Sequence, residues 1–148
     1  MHTTSIWRLG RGVSAAANCV VAGIVLLAAP FAVLAGEPRY EDIVLTDDKE
    51  QATDKHNFSP DTPSIFLLAT LADVPSGVRL KSVWIAEKTE VAPANYEIDS
   101  TELTGGGAMN KVTFSLSRPD SGWPPGEYRV ELLIDGNPSG SARFTVTP

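Results

Sequence analysis

The chain has 148 residues, with 12 Lys and Arg against 18 Asp and Glu, a formal net charge of −6, one cysteine and two histidines. That length leaves room for one ordinary domain, and an acidic balance disfavours nucleic acid and anionic membrane surfaces, which attract basic proteins. A lone cysteine excludes an internal disulfide and a zinc-thiolate site.

Residues 1–35 have the layout of a secretion signal. Arg8 and Arg11 form the basic start, an apolar stretch runs from Val13 to Ala35, and Val33-Leu34-Ala35 ends it with the small residues a signal peptidase reads. Cleavage is expected after Ala35. An uncleaved membrane anchor is the alternative, since a span takes about 20 apolar residues, but Pro30 and the small-residue ending speak against it. Cys19 lies at the start of the apolar run, not at its end where a lipid-accepting cysteine would sit. Cleavage takes 35 of the 148 residues and leaves 113, with no cysteine and ten basic against eighteen acidic residues, a net charge of −8. A domain of that size can be held by its apolar core alone. The expected location is the periplasm or the cell surface, with contact to a membrane only if the signal is retained.

Residues 36–62 read as a polar N-terminal segment with one strand, Tyr40 to Thr46, and a charged connector from Thr46 to His56. Asp47, Asp48 and Asp54 in that connector lack the alternating spacing and central glycine of a calcium loop. Residues 63–148 read as a β-sandwich. Ser64 to Leu71 places Ile65, Leu67, Ala69 and Leu71 on one face and Phe66 and Leu68 on the other. Val78 to Glu87 sends Trp84 inward and leaves Val83 and Ile85 on the outer face, because Arg79, Lys81 and Glu87 share that face.

Asn95 to Leu103 is a polar edge strand, and Gly105-Gly106-Gly107 is a conformationally free hairpin turn. Asn110 to Ser117 turns Val112, Phe114 and Leu116 inward. After the proline- and glycine-rich corner from Arg118 to Gly126, Glu127 to Asp135 turns Tyr128, Val130, Leu132 and Ile134 inward. The last strand does the same with Ala142, Phe144 and Val146. The total is seven strands, all-β and antiparallel.

Trp84 on the third strand, Gly126-Glu127-Tyr128-Arg129-Val130 at the start of the sixth and Arg143-Phe144-Thr145-Val146 in the seventh resemble the immunoglobulin-like domains of exported bacterial proteins. The resemblance covers residues 63–147 and places Tyr128 to form a tyrosine corner, although the inter-sheet cysteines of antibody domains are absent. It implies a seven-stranded immunoglobulin-like sandwich that mediates contacts, and no reaction.

The chemistry-bearing residues agree with a non-enzyme that has no cofactor and no metal. His56 is the one histidine after the signal and has no nucleophile motif beside it. Glu97, Asp99 and Glu102 are paired carboxylates on a polar strand, without an apolar pocket to raise either pKa. The triple glycine lacks the Lys-Ser/Thr of a phosphate loop.

The expected binding face is the outer side of the third and sixth strands. Val83, Ile85 and Leu133 would form its apolar centre, rimmed by Arg79, Lys81, Arg129 and Glu131, with another envelope protein as partner. Tyr40 to Leu45 folding over that face is the competing arrangement. A small-ligand or glycan-binding role through Trp123 or the edge at Tyr96 is the alternative function, and inhibition of cysteine proteases in the manner of chagasin-like domains is a lesser one. The sequence leaves the oligomeric state open.

Overall fold

A computed structural model describes residues 36–148, so the expected signal peptide and its cleavage site lie outside the described residues. Eight strands follow in chain order: β1 Arg39–Thr46, β2 Asn57–Phe58, β3 Ser64–Ala72, β4 Val78–Thr89, β5 Tyr96–Gly105, β6 Lys111–Ser117, β7 Gly126–Ile134 and β8 Asn137–Val146. They form a three-stranded sheet, β1-β3-β6, and a five-stranded sheet, β2-β8-β7-β4-β5. Among the described residues there is no helix. The chain is all-β.

Period-two patterning decides which faces meet. Ile65, Leu67 and Ala69 of β3 and Val112 and Phe114 of β6 are buried in the same core as Leu80, Trp84 and Ala86 of β4 and Tyr128, Val130 and Leu132 of β7. Successive strand residues point to opposite faces, so each sheet offers one apolar side and the two sides pack together. Phe144 of β8 is a hub of this core. Its ring stacks on Tyr128 at 5.1 Å and takes edge contacts from Phe58 at 5.5 Å, Trp84 at 6.3 Å and Trp123 at 6.5 Å. Such pairs each contribute about 0.5–1.5 kcal/mol beyond the area they bury.

The turn chemistry follows the sequence in one place and departs from it in another. Asp135 and Gly136 both take positive φ, 48° and 81°, between the paired residues Ile134 and Asn137. That is the two-residue loop whose twist matches flanking antiparallel strands. The triple glycine is neither free nor a hairpin. It joins β5 in one sheet to β6 in the other. Gly106 has φ 89°, and a Cβ there would collide with the Pro75 carbonyl. Gly107 N–H donates to Val74 O at 2.9 Å and Gly77 N–H to Gly105 O at 3.1 Å. Glycine is required here because the loop is pressed against the β3–β4 turn.

Four further expectations are corrected. The strand count is eight, because β2 adds two residues that no periodicity can reveal. β2 runs parallel to β8, Asn57 beside Thr145 and Phe58 beside Val146, so the architecture is not wholly antiparallel. No boundary separates residues 36–62 from the sandwich. Tyr40, Leu45 and Phe58 are 6%, 0% and 1% exposed within the shared core. Finally, β1 pairs with β3 in the three-stranded sheet and does not fold over the outer face of β4 and β7. A bulge between Glu41 and Val44, with Asp42 at φ 47°, puts both Tyr40 and Leu45 inward although their spacing is odd.

Candidate functional site

The expected binding residues share the outer side of the five-stranded sheet. Ile85 lies opposite Arg129, Val83 opposite Glu131 and Lys81 opposite Leu133 across the β4–β7 ladder. Val83 and Ile85, however, are only 9% and 7% exposed, although neither belongs to the core between the sheets. The charged residues beside them are tied down. Arg129 Nε lies 2.9 Å from Glu131 Oε1, and its Nη1 lies 3.2 Å from Glu87 Oε1 and 2.7 Å from Asn95 Oδ1. Arg143 Nε reaches the same Glu87 oxygen at 3.2 Å. Leu133 is half-buried, and its carbonyl accepts the Tyr40 hydroxyl at 3.0 Å. This face therefore presents its charged rim and not an open apolar centre. An aspartate at Val83 would disturb folding, so it is no clean probe of a surface.

Apolar side chains are exposed elsewhere. Val91 and Tyr96 are 73% and 52% exposed, and both line a groove of about 390 Å³ at one end of the sandwich. The β4–β5 turn contributes Val91, Ala92 and Pro93, the start of β5 contributes Tyr96 and Ile98, and the corner before β7 contributes Pro119, Trp123 and Pro124. One backbone approach joins these segments, and one side-chain hydrogen bond braces the corner. Gly126 pairs with Thr89, and a Cβ on Gly126 would collide with the Lys88 carbonyl. The Tyr128 hydroxyl donates to the Pro124 carbonyl, four residues upstream, which closes the tyrosine corner.

Burial pushes the Tyr128 phenol up to about 12, and it does the same to Tyr40. Trp123 is 2% exposed and donates Nε1–H to Thr62 O at 2.8 Å. Its ring supports the groove from within and is not a free stacking platform for a sugar. The polar handles of Trp123 and Tyr128 are thus spent on the protein's own carbonyls. Thr89 Oγ1, also in the lining, is buried and has no hydrogen-bond partner. The sequence signal for this groove was an apolar Val-Ala-Pro set in a turn, with Trp-Pro-Pro in a later corner.

The charged connector is ordered by specific pairs. Lys55 holds Asp47 at 2.5 Å and draws its carboxyl below the usual carboxylate range. Asp48 accepts the Glu50 N–H, and Asp54 accepts the Leu45 N–H. His56 is exposed but engaged at both ring nitrogens: Nδ1 lies 2.8 Å from Arg143 O and Nε2 lies 3.0 Å from Asp54 Oδ2. A carbonyl and a carboxylate only accept, so the imidazolium satisfies both where a neutral ring satisfies one. The bond to Arg143 O, then the charge of Asp54, raises its pKa above the ordinary value. Glu97, Asp99 and Glu102 are exposed along β5, with Glu102 beside Lys81.

No protein-family model matches the chain, and no curated protein matches it. The solved structures similar to it at low identity include three that span about three quarters of this chain. One is an alkylpurine DNA glycosylase from Pseudomonas fluorescens, 18% identical with a TM-score of 0.49, over 76% of this chain and 31% of the glycosylase. Another is an immunoglobulin-like protein from Pseudomonas aeruginosa, 11% identical with a TM-score of 0.44, over 76% of this chain and 93% of the other. The third is a β-glucosidase from Listeria innocua, 12% identical with a TM-score of 0.48, over 76% of this chain and 16% of the enzyme.

Proposed function

We propose that this chain is an exported, non-catalytic immunoglobulin-like domain that mediates protein–protein contacts in the periplasm or at the cell surface. Support for the fold assignment comes from β4 and β7 as central neighbours, Trp84 in the core of β4 and the tyrosine corner at Tyr128. The contact reading is carried by one observation. Val91 and Tyr96, both well exposed, line one apolar groove at the end of the sandwich. Exposed apolar surface of this kind costs solubility and marks interaction sites. The groove, and not the outer face at Val83 and Ile85, is the contact site of this proposal.

The test is cross-linking of the tagged protein in its native envelope, with Val91→Asp as the comparison. Val91 makes little of the core, so Val91→Asp is expected to keep the parent's Tm and to lose a stoichiometric partner. Recovery of the same partner with Val91→Asp, or recovery of the protein alone, overturns the proposal.

A further inference from the structure

Strand β5 ends the five-stranded sheet, with β4 on one side and, among the described residues, no strand on the other. Its pairing with β4 is regular from Val78–Gly105 to Val83–Ser100 and shifts only beyond Trp84. Over that stretch the backbone direction can be assigned. Gly77 N–H donates to Gly105 O, so the Gly105 carbonyl faces the β4 side. Ser100 N–H is taken instead by Asp99 Oδ1 at 2.8 Å, so it points away from β4. Backbone direction alternates along an antiparallel strand, and the N–H and C=O of Glu102 and Thr104 therefore point outward with Ser100.

An open edge of this length is a template for another strand. Edges that must stay alone are defended by charged side chains, above all lysine, by proline or by bulges. β5 has no lysine or proline, and along its regular stretch its defence is negative charge alone, which a basic strand would neutralise. From Tyr96 to Gly105 it carries Glu97, Asp99 and Glu102 and no cation. Its first residues, Tyr96 and Ile98, also line the apolar groove, so edge and groove form one continuous surface. A second copy pairing β5 to β5 would set three carboxylates against three, and like charges directly opposite are destabilising.

Resting on the contact function proposed above, we infer that β5 accepts an extended segment of a different protein by strand addition, with an apolar residue of that segment in the groove and Lys or Arg on the outer face beside Glu97 and Glu102, which lie across from Ile85 and Lys81 of β4. Main-chain hydrogen bonds to Glu102 and Thr104 supply the pairing, and the carboxylates select the basic strand.

The experiment is amide hydrogen exchange by NMR on the protein, with a synthetic peptide of about eight residues that alternates Lys with Thr and Val and ends in Leu. The peptide should slow exchange at Glu102 and Thr104 by about tenfold or more, in a saturable way. The effect should weaken in added salt and in Glu97→Gln plus Glu102→Gln. No protection at those two amides, or equal protection by the same peptide with Glu in place of Lys, overturns the inference. Protection that rises with the protein's own concentration, without peptide, places a second copy there and also overturns it. A partner that is still lost on Val91→Asp while the peptide leaves both amides unprotected would sink strand addition and leave the groove proposal standing.

Discussion

Replacing Tyr128 with phenylalanine deletes one oxygen and keeps the ring. The ring's contacts survive, the stack on Phe144 at 5.1 Å and the edge contact with Trp123 at 6.1 Å, so no cavity opens. What disappears is the hydrogen bond that ties β7 to the Pro124 carbonyl. A neutral hydrogen bond contributes about 0.5–1.5 kcal/mol net, and a carbonyl left without its donor adds to the cost. The expected loss is about 1.5 kcal/mol, or about 6 °C in Tm for a domain of this size.

Urea denaturation at neutral pH measures it, and the alkaline limb gives a second reading. The folded Tyr128 pKa is about 12 against an ordinary value of 10.0. Its contribution is complete below pH 10 and is lost as pH rises toward 12. Tyr128→Phe should therefore lose less stability across that window than the parent, with Tyr40 supplying the remainder. A variant within about 0.3 kcal/mol of the parent, with an unchanged alkaline limb, would refute the tyrosine corner as a stabilising contact.

Phe58→Ala should cost about 3–4 kcal/mol by equilibrium denaturation, because a fully buried ring leaves the edge of Phe144. A loss under about 1 kcal/mol would mean that β2 is not part of the core. Gly126→Ala should cost about 2 kcal/mol or more, since the new Cβ meets the Lys88 carbonyl and splays β4 from β7; thermal melting decides it. His56 has a raised folded pKa, so its contribution is complete below the ordinary pKa and declines as pH rises through the raised value. Stability measured from pH 5 to 8 should fall slightly in the parent and stay flatter in His56→Gln. Equal slopes would show that the Asp54–His56–Arg143 contact does not hold the protonated form.

Where alternation was uninterrupted, inspection of residues was enough. The inward positions of β7, Tyr128, Val130, Leu132 and Ile134, are all buried, and so is Trp84. The exposed, carboxylate-bearing edge at β5 was legible for the same reason, because polar residues mark the side without a partner. The candidate binding face was only half legible. Pattern put Val83 and Ile85 on the outer side. It also put Arg129 and Glu131 at the rim, but it could not show that Val83 and Ile85 are buried there, nor that Arg129 is held by Glu87 and Asn95, 42 and 34 residues away.

The groove shows the same division. It joins residues 89–98 to 119–128, and nothing local to either segment indicates that they meet. By itself the sequence determined the all-β class, the strand faces and the acidic, cysteine-free chemistry after residue 35, since each depends on side-chain type and a repeat of two. The parallel seating of Phe58 beside Val146, the sheet change at the triple glycine and the groove at Val91 and Tyr96 were decided only by tertiary structure. Each depends on long-range pairing, where chain segments far apart in sequence compete for the same buried space.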